Sequence, residues 1–412
     1  MSICAIDFGT TNSTAGILHN GQPQLVNLGT HSPTTRTVLF VDDYDGQIHV
    51  GDDAMHRLRE GAEGRFMQSL KRYLGEADPI NTRVLRYTYS LEDLLAIILR
   101  RFRQQAEEVA GQPLDSVILG RPVHFNDDDP TLDRQAEARL AHAAREAGFQ
   151  HVDFELEPVA AARAYASRTN RAETIMVVDI GGGTTDFTIM RLDPTHHRHE
   201  VLANHGIYVG GDMFDGSITR HELGPLLGAN STYTIEGDAL PWPRYIFANM
   251  GNWSHFNQLL DPAVRRDIKQ MHATSNDPAA SGRLLELLED SLYFAFAGAV
   301  EGAKCRLSEV LETDVDLSFF STPATPRLTR QRFEAITQPL VAQIMAALAE
   351  TLAQANLSAD RVDHVFLTGG TTMLPAIRQA LKGTFSAEKL TQTDVFTSVG
   401  YGLAIAASQL DR

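Results

Sequence analysis

Short apolar runs at residues 3–6, 117–119, 175–178 and 365–367 have the length and branched side chains of buried strands. Three of the four lead directly into glycine-rich turns. Apolar positions spaced three and four apart predict helices over 91–109, 133–147, 158–167, 283–311, 333–357, 374–381 and 398–410. Gly148 stands where a helix stop belongs, and Pro158 suits the first position of a helix. Residues 31–35 (HSPTT) and 42–46 read as turns. Residues 126–130 (NDDDP) read as a loop ending in helix-start chemistry, with Asp127–Asp129 a solvated turn in preference to a metal site. Strands that alternate with helices place the chain in the α/β class.

A weak repeat runs through this pattern. Near the start the chain reads IDFGTTNST, and far downstream VDIGGGTTDFT. Each is an apolar strand, an Asp, a glycine turn with paired threonines and a strand-like continuation. A third turn, FLTGGTTM at 366–373, keeps the glycines and threonines without the Asp. The repeat predicts two similar lobes. Residues 219–300, with Trp242 and Trp253, break the regularity and read as an enlarged peripheral subdomain.

Charge and cysteine content narrow the function. A net charge of −16 excludes a nucleic-acid or anionic-membrane surface as the main ligand, so a phosphate must be held by local geometry. Two cysteines, Cys4 and Cys305, are too few for a disulfide framework or a cysteine zinc site, and point to a reducing, cytoplasmic setting. The N-terminus lacks a signal-peptide pattern, and the longest apolar stretches, 94–99 and 292–300, fall short of a membrane span.

The glycine turns carry the chemistry. Successive backbone N–H groups in such a turn form a nest for anions, and threonine hydroxyls add donors. An Asp beside each nest repels phosphate but holds Mg²⁺, commonly through water. Asp7 and Asp179 are therefore metal-positioning candidates. Any one turn alone reads as an ordinary hairpin; two matched turns and a third do not. P-loop, dinucleotide, zinc-protease and serine-hydrolase motifs are all missing from the sequence.

Ten segments in order now resemble the ATPase domain of the 70-kilodalton heat-shock chaperone family, within the actin and sugar-kinase superfamily. They are IDFGTTNS, LKRYLG, GRPVHFND with Arg134-Gln135-Ala136, LEPVAAARAY, VDIGGGTTDFT, VGGDMFD, EGAKCRLS, LTRQRFEAI, LTGGTTMLP and VGYGLAIAA. The resemblance implies an actin-like fold of two lobes, each with an inner α/β subdomain and an outer variable one, and the nucleotide in the central cleft. Lobe I would be 1–172 with the helix 398–412, its outer part about 37–90. Lobe II would be 173–397, its outer part about 219–308.

The resemblance also implies roles. ATP and Mg²⁺ would be the cofactors, with room for K⁺. Gly9, Thr10 and Thr11 would cradle phosphate, as would Gly181, Gly182, Gly183 and Thr184, with Thr184 next to the γ-phosphate. Gly210 and Gly211, and the turn Gly369, Gly370, Thr371 and Met373, would complete the pocket. Lys71 would reach the γ-phosphate and attacking water, Glu157 would position water and metal, and Asp7 and Asp179 would order the metal's water shell. Glu301, Lys304 and Ser308 share one helical face and would bind ribose and adenine. Pro122, Arg134 and Glu157 would relay nucleotide state to lobe movement. Read without the resemblance, Lys71 is a surface cation, Glu157 a helix-start acid, Asp186 a turn residue, and Glu301–Lys304 a surface pair.

Some features depart from the family. The spacing from Pro122 to Arg134 is longer. The two arginines that flank adenine are replaced by Cys305 and Met373, which predicts weaker ATP binding and poorer discrimination against GTP. The family's linker, peptide-binding domain and lid do not follow within these 412 residues, so clamping of extended peptides is not expected. The leading function is a slow Mg²⁺-dependent ATPase whose nucleotide controls lobe closure and the binding of a protein partner, with 219–300 as a candidate surface. Alternatives are a small-molecule kinase of the superfamily, for which no catalytic base stands out, and a nucleotide-gated binding or filament-forming protein without turnover.

Overall fold

The computed structural model describes residues 3–410 apart from 20, 79, 127–128, 167–170, 194–197, 252–255, 257, 290–291 and 393–396, so Asp127, Asp128 and Trp253 lie outside the described residues. The chain divides into two compact units, Met1–Ile207 with Ala347–Thr372 and Lys382–Arg412, and Tyr208–Ala346 with Met373–Leu381.

The first unit opens with β1 (Ile3–Phe8), β2 (Asn12–His19), β3 (Gln22–Val26) and the short β4 (Thr34–Arg36). β4 pairs with β2, which corrects the reading of 31–35 as a turn throughout; the backbone turn is closed earlier, by Gly29 N–H on the Ser32 carbonyl. A three-stranded sheet follows, of β5 (Val38–Asp42), β6 (Ile48–Val50) and β7 (Gly64–Gln68), with α1 (Asp52–Arg59) after β6. A 3-10 turn (Leu70–Tyr73) and the hairpin of β8 (Asn81–Val84) and β9 (Tyr87–Ser90) lead to α2 (Leu91–Ala110). The start of α2 is fixed by a capping box between Ser90 and Asp93. Next come β10 (Ser116–Arg121), α3 (Pro130–Glu146), β11 (His151–Leu156) and α4 (Glu157–Ala166). Asp129 caps α3 by accepting the Thr131 and Leu132 N–H groups, as the helix-start reading predicts.

A second sheet is made by β12 (Glu173–Ile180), β13 (Thr185–Asp193), β14 (Arg198–Ile207) and, from the end of the chain, β19 (His364–Thr368) and β20 (Leu390–Gln392). The sheets have the same order and sense. In the first, β1 is antiparallel to β2 and parallel to β10; in the second, β12 is antiparallel to β13 and parallel to β19. The weak sequence repeat is thus a repeat of whole sheets, with each Asp-bearing glycine turn joining the central strand to its antiparallel neighbour.

In the second unit are α5 (Gly211–Ile218), the hairpin of β15 (Thr232–Ile235) and β16 (Asp238–Pro241), α6 (Arg244–Asn249), α7 (Pro262–Ala273), α8 (Pro278–Glu289) and α9 (Tyr293–Leu307). The single helix predicted over 283–311 is therefore two helices. The apolar positions Leu284, Leu287 and Leu288 pass to Phe296, Val300 and Ala303 with nearly unchanged period, so the pattern hides the break. β17 (Glu312–Asp314) and β18 (Arg327–Thr329) precede α10 (Arg330–Gln354); α11 (Pro375–Thr384) follows β19, and α12 (Ser398–Leu410) ends the described chain. By length and composition α10 could cross a bilayer, a correction to the expectation that no stretch comes close. Its Phe333, Leu340, Ile344 and Leu348 are buried in the fold, as in an ordinary core helix.

α4 and α12 set the geometry of the centre. Ala160 and Ala161 of α4, with Leu403, Ala404 and Ala407 of α12, cover Ile3 and Ala5 of β1. Val159 and Ala162, on the other side of α4, cover Ile175 and Val177 of β12. One alanine-rich helix therefore contacts both sheets. The contact with α12 is closer than any Cβ permits at one point: a side chain on Gly402 would overlap the Ala160 carbonyl oxygen. Gly402→Val should destabilise the protein by about 3 kcal/mol, since overpacking against backbone cannot be relieved by a rotamer change. Urea unfolding checks this; a loss below about 0.5 kcal/mol would mean that α4 and α12 part easily.

Candidate functional site in the first unit and the glycine turns

Strand alternation delivers the acidic residues. Side chains of β1 point alternately to two faces, so Asp7 shares the face of Ile3 and Ala5, toward α4. On β12, Asp179 shares the face of Ile175 and Val177, also toward α4. Glu157 is the first residue of α4. Asp7 and Asp179 thus approach the start of one helix from two sheets, where Glu157 already sits. An acid there is favoured by the helix dipole.

Lys71 supplies the opposing charge. It lies in the 3-10 turn Leu70–Tyr73, is only 7% exposed, and its Nζ donates to Glu157 Oε1 at 2.6 Å. The turn is entered through Ser69 in the left-handed region, at φ 57. The surface-cation reading of Lys71 is therefore corrected.

The carboxylates outnumber the lysine, and their acidity records it. Burial, with the Glu157 charge beside it, pushes the Asp7 carboxyl up to about 7 against the pull of Lys71. Burial, with Asp186, Glu157 and Asp7 nearby, pushes Asp179 up to about 8. Asp186 stands directly across from Asp179 in the β12–β13 register, a like-charge pair that costs free energy without a cation. The signal in the sequence that marks Asp186 as more than a turn residue is its place directly after the paired threonines, where β13 sets it opposite Asp179. Among the described residues no three carboxylate, His or Cys side chains converge to chelate a bare ion. The excess of buried carboxylates over cations is a donor set that a hydrated divalent cation would fit.

The glycine turns close around this cluster. Gly181 N–H donates to the Thr184 carbonyl at 2.9 Å across the second turn. The third turn packs on it: Thr371 Oγ1 donates to the Gly181 carbonyl at 2.9 Å. Gly369 has φ +77, and a Cβ there would overlap the Ile180 carbonyl, so only glycine fits. Thr10, Thr11, Gly9, Gly182 and Gly183 are partly exposed and Thr184 is exposed. A cavity of about 30 Å³ lies behind the cluster, lined by Pro122, Glu157, Asp179, Asp186, Thr188 and Asn204. Pro122 and Glu157 thus line the same small cavity. Arg134 does not join them: it is exposed on α3, and its Nη2 donates to Thr131 Oγ1 at 3.4 Å.

The second unit holds the remaining candidates. Gly210 caps α5 without a side-chain bond, and Gly211 is its first residue, so first-turn N–H groups lack a side-chain cap. Glu301 and Lys304 lie on α9, and Ser308 is its C-cap. Lys304 is buried; its Nζ donates to Asp215 Oδ2 at 2.6 Å and to the Gly211 carbonyl at 3.3 Å. Burial raises the Asp215 carboxyl to about 6 despite that lysine. Met373 is exposed, and Arg378 Nη2 lies 3.1 Å from its Sδ; Cys305 is exposed on α9.

Two sheets of equal order sharing a helix, each ending its central strand in an Asp and a glycine turn, define the actin-like ATPase fold. The family model described as Hsp70 protein matches residues 3–226 and 288–411, and the chain belongs to the Hsp70 family. That membership supports an ATP-binding, chaperone-type role. The match leaves out 227–287, which contains β15, β16, α6, α7 and nearly all of α8. These elements are the core of the region that sequence reading singled out as enlarged.

Proposed function

We propose that this chain is a slow Mg²⁺-dependent ATPase whose nucleotide state controls the binding of a protein partner. The observation that carries this reading is the Lys71–Glu157 pair set among Asp7, Asp179 and Asp186 at the mouths of two glycine turns. Phosphoryl transfer to water needs placement and charge neutralisation more than a strong base. Lys71 would neutralise charge on the γ-phosphoryl group, and Glu157 would orient the attacking water. Thr10, Thr11 and Thr184, with the turn N–H groups, would hold phosphate oxygens, as would Gly210 and Gly211. Asp7 and Asp179 would hold the waters of Mg²⁺, which when bound neutralises the β- and γ-phosphate charge. Residues 219–300, with Ile235, Leu240 and Tyr245 exposed, are the proposed partner surface. Single-turnover hydrolysis of ATP, with and without Mg²⁺ and with no acceptor other than water, tests the reading. Consumption of ATP only when a sugar or polyol is added would replace it by a kinase.

The adenine wall makes a separate prediction. Cys305 and Met373 stand where the family places arginines. Arginine over a base gains about 0.5–1 kcal/mol at an exposed site, so Cys305→Arg should tighten ATP binding roughly fivefold. The Arg378 guanidinium at the Met373 sulfur already offers one cation on that side. Calorimetry with ATP and GTP checks this, and equal affinities for wild type and variant would place the base elsewhere.

A further inference from the structure

The geometry points to Arg121, the last residue of β10, as the positioning residue that holds the catalytic Lys71–Glu157 pair and connects it to α3. This inference rests on the ATPase reading for its catalytic consequence, though the placement itself stands on contacts within the first unit.

Arg121 is 15% exposed and spends its donors in four directions. Nε donates to the Pro122 carbonyl at 3.0 Å, and Nη2 to the Val123 carbonyl at 3.0 Å. Nη2 also reaches both carboxylate oxygens of Asp133 at 3.2 Å, and Nη1 bonds Glu137. Asp133 and Glu137 are one turn apart on α3. One planar guanidinium therefore ties the segment after β10 to a face of α3. A lysine, with a single nitrogen, cannot reproduce that fork.

The tied segment bears on the catalytic pair. Pro122 and Val123 line the cavity behind Glu157. The Phe125 ring is approached by two cations, with Arg121 Cζ 5.2 Å and Lys71 Nζ 6.0 Å from its centroid. Phe125 is fixed in turn by its N–H, which donates to Asp133 Oδ1 at 2.6 Å. α3 also grips the Lys71 turn from the other side: Arg139 Nη1 donates to the carbonyls of Leu74 at 2.9 Å and Glu76 at 2.8 Å. A shift of α3 would thus move Lys71 through Arg139 and Pro122–Phe125 through Arg121. Arg134, on the exposed side of α3, makes none of these contacts.

The segment after β10 corresponds, in the repeated sheet order, to the glycine turn after β19. In the second sheet that turn closes on Gly181 through Thr371. In the first sheet the equivalent position is closed by a side chain, Arg121, and the connection runs outward to a surface helix.

The test uses the full chain with Arg121→Lys, Arg121→Gln and Arg134→Ala. Two quantities are read: single-turnover ATP hydrolysis beside ATP affinity, and the rate at which Lys71 reacts with an amine-specific label, followed by mass spectrometry. Both Arg121 variants should lose about tenfold or more in hydrolysis while ATP affinity stays within about threefold. Lys71 should be labelled faster in both, because its turn and the covering Phe125 open more often. Arg121→Lys unfolds like wild type in urea if it keeps the charge and packing, which separates loss of position from loss of fold. The inference is overturned if both Arg121 variants keep wild-type hydrolysis and labelling, if lysine restores both fully, or if Arg134→Ala produces the pattern instead. A wild type that hydrolyses no ATP would remove the ATPase reading, and the labelling rates would still decide the placement of Arg121.

Discussion

Lys71→Ala should lower single-turnover ATP hydrolysis by on the order of 10²–10³-fold, the usual cost of removing one preorganised charge stabiliser. ATP affinity should change little, because in the proposed reading the phosphates would be held by the turn N–H groups and threonines and not by Lys71. The structure adds a second consequence. Lys71 is buried against Glu157 and is the cation that pulls the pKa values of Asp7 and Asp179 down against burial. Its loss leaves Glu157 unpaired, so the metal-free variant should be destabilised by about 3 kcal/mol. Added Mg²⁺ should recover part of that loss. Hydrolysis at saturating ATP and urea unfolding with and without Mg²⁺ measure both effects. A variant that turns over at the wild-type rate would return Lys71 to a structural role.

Asp179→Asn should abolish most of the Mg²⁺ dependence of ATP binding and stabilise the metal-free protein at alkaline pH. The folded state holds the Asp179 proton up to about pH 8, whereas an unfolded chain releases it near 3.8. Across that window the folded form carries the extra proton, so stability falls as pH rises. Asparagine stays neutral and removes this slope. Without metal, the variant should therefore exceed wild type by about 1–3 kcal/mol at pH 8, with the gap closing toward pH 4. With Mg²⁺ and ATP the order should reverse, because the dication favours the charged carboxylate. Urea midpoints at several pH values and a Mg²⁺ titration of ATP binding test the two halves separately. A wild type whose stability is flat from pH 5 to 8 would show that Asp179 is solvated enough to ionise normally.

Much of the fold was legible because strands and helices are local. The runs at 3–6, 117–119, 175–178 and 365–367 became β1, β10, β12 and β19, and the ends of α2 and α3 carry side-chain and glycine signals that depend on a few neighbouring residues. The break between α8 and α9 was hidden, since apolar spacing reports which face is buried and not whether the helix continues. The hairpin of β15 and β16 and the helices α6 and α7 also escaped prediction. They are polar or brief, and their register depends on neighbours such as Asn276, which receives the Thr232 N–H at 2.9 Å.

The sequence by itself determined the chemistry on offer: two Asp-bearing glycine turns, a third turn, and the lysine and glutamate that ordered motifs single out. Those are choices of residue type within a few positions, and they survive any packing. Only the tertiary structure decided which groups meet. Lys71 and Glu157 are 86 residues apart, and Thr371 and Gly181 are 190 apart; their contacts follow from the pairing of β1 with β10, of β12 with β19, and from the one helix packed on both sheets. The same packing decided between two arginines. Along the chain Arg134 is the arginine that the family resemblance couples to Pro122, but the turn of α3 presents Asp133 and Glu137 to Arg121 and leaves Arg134 to solvent.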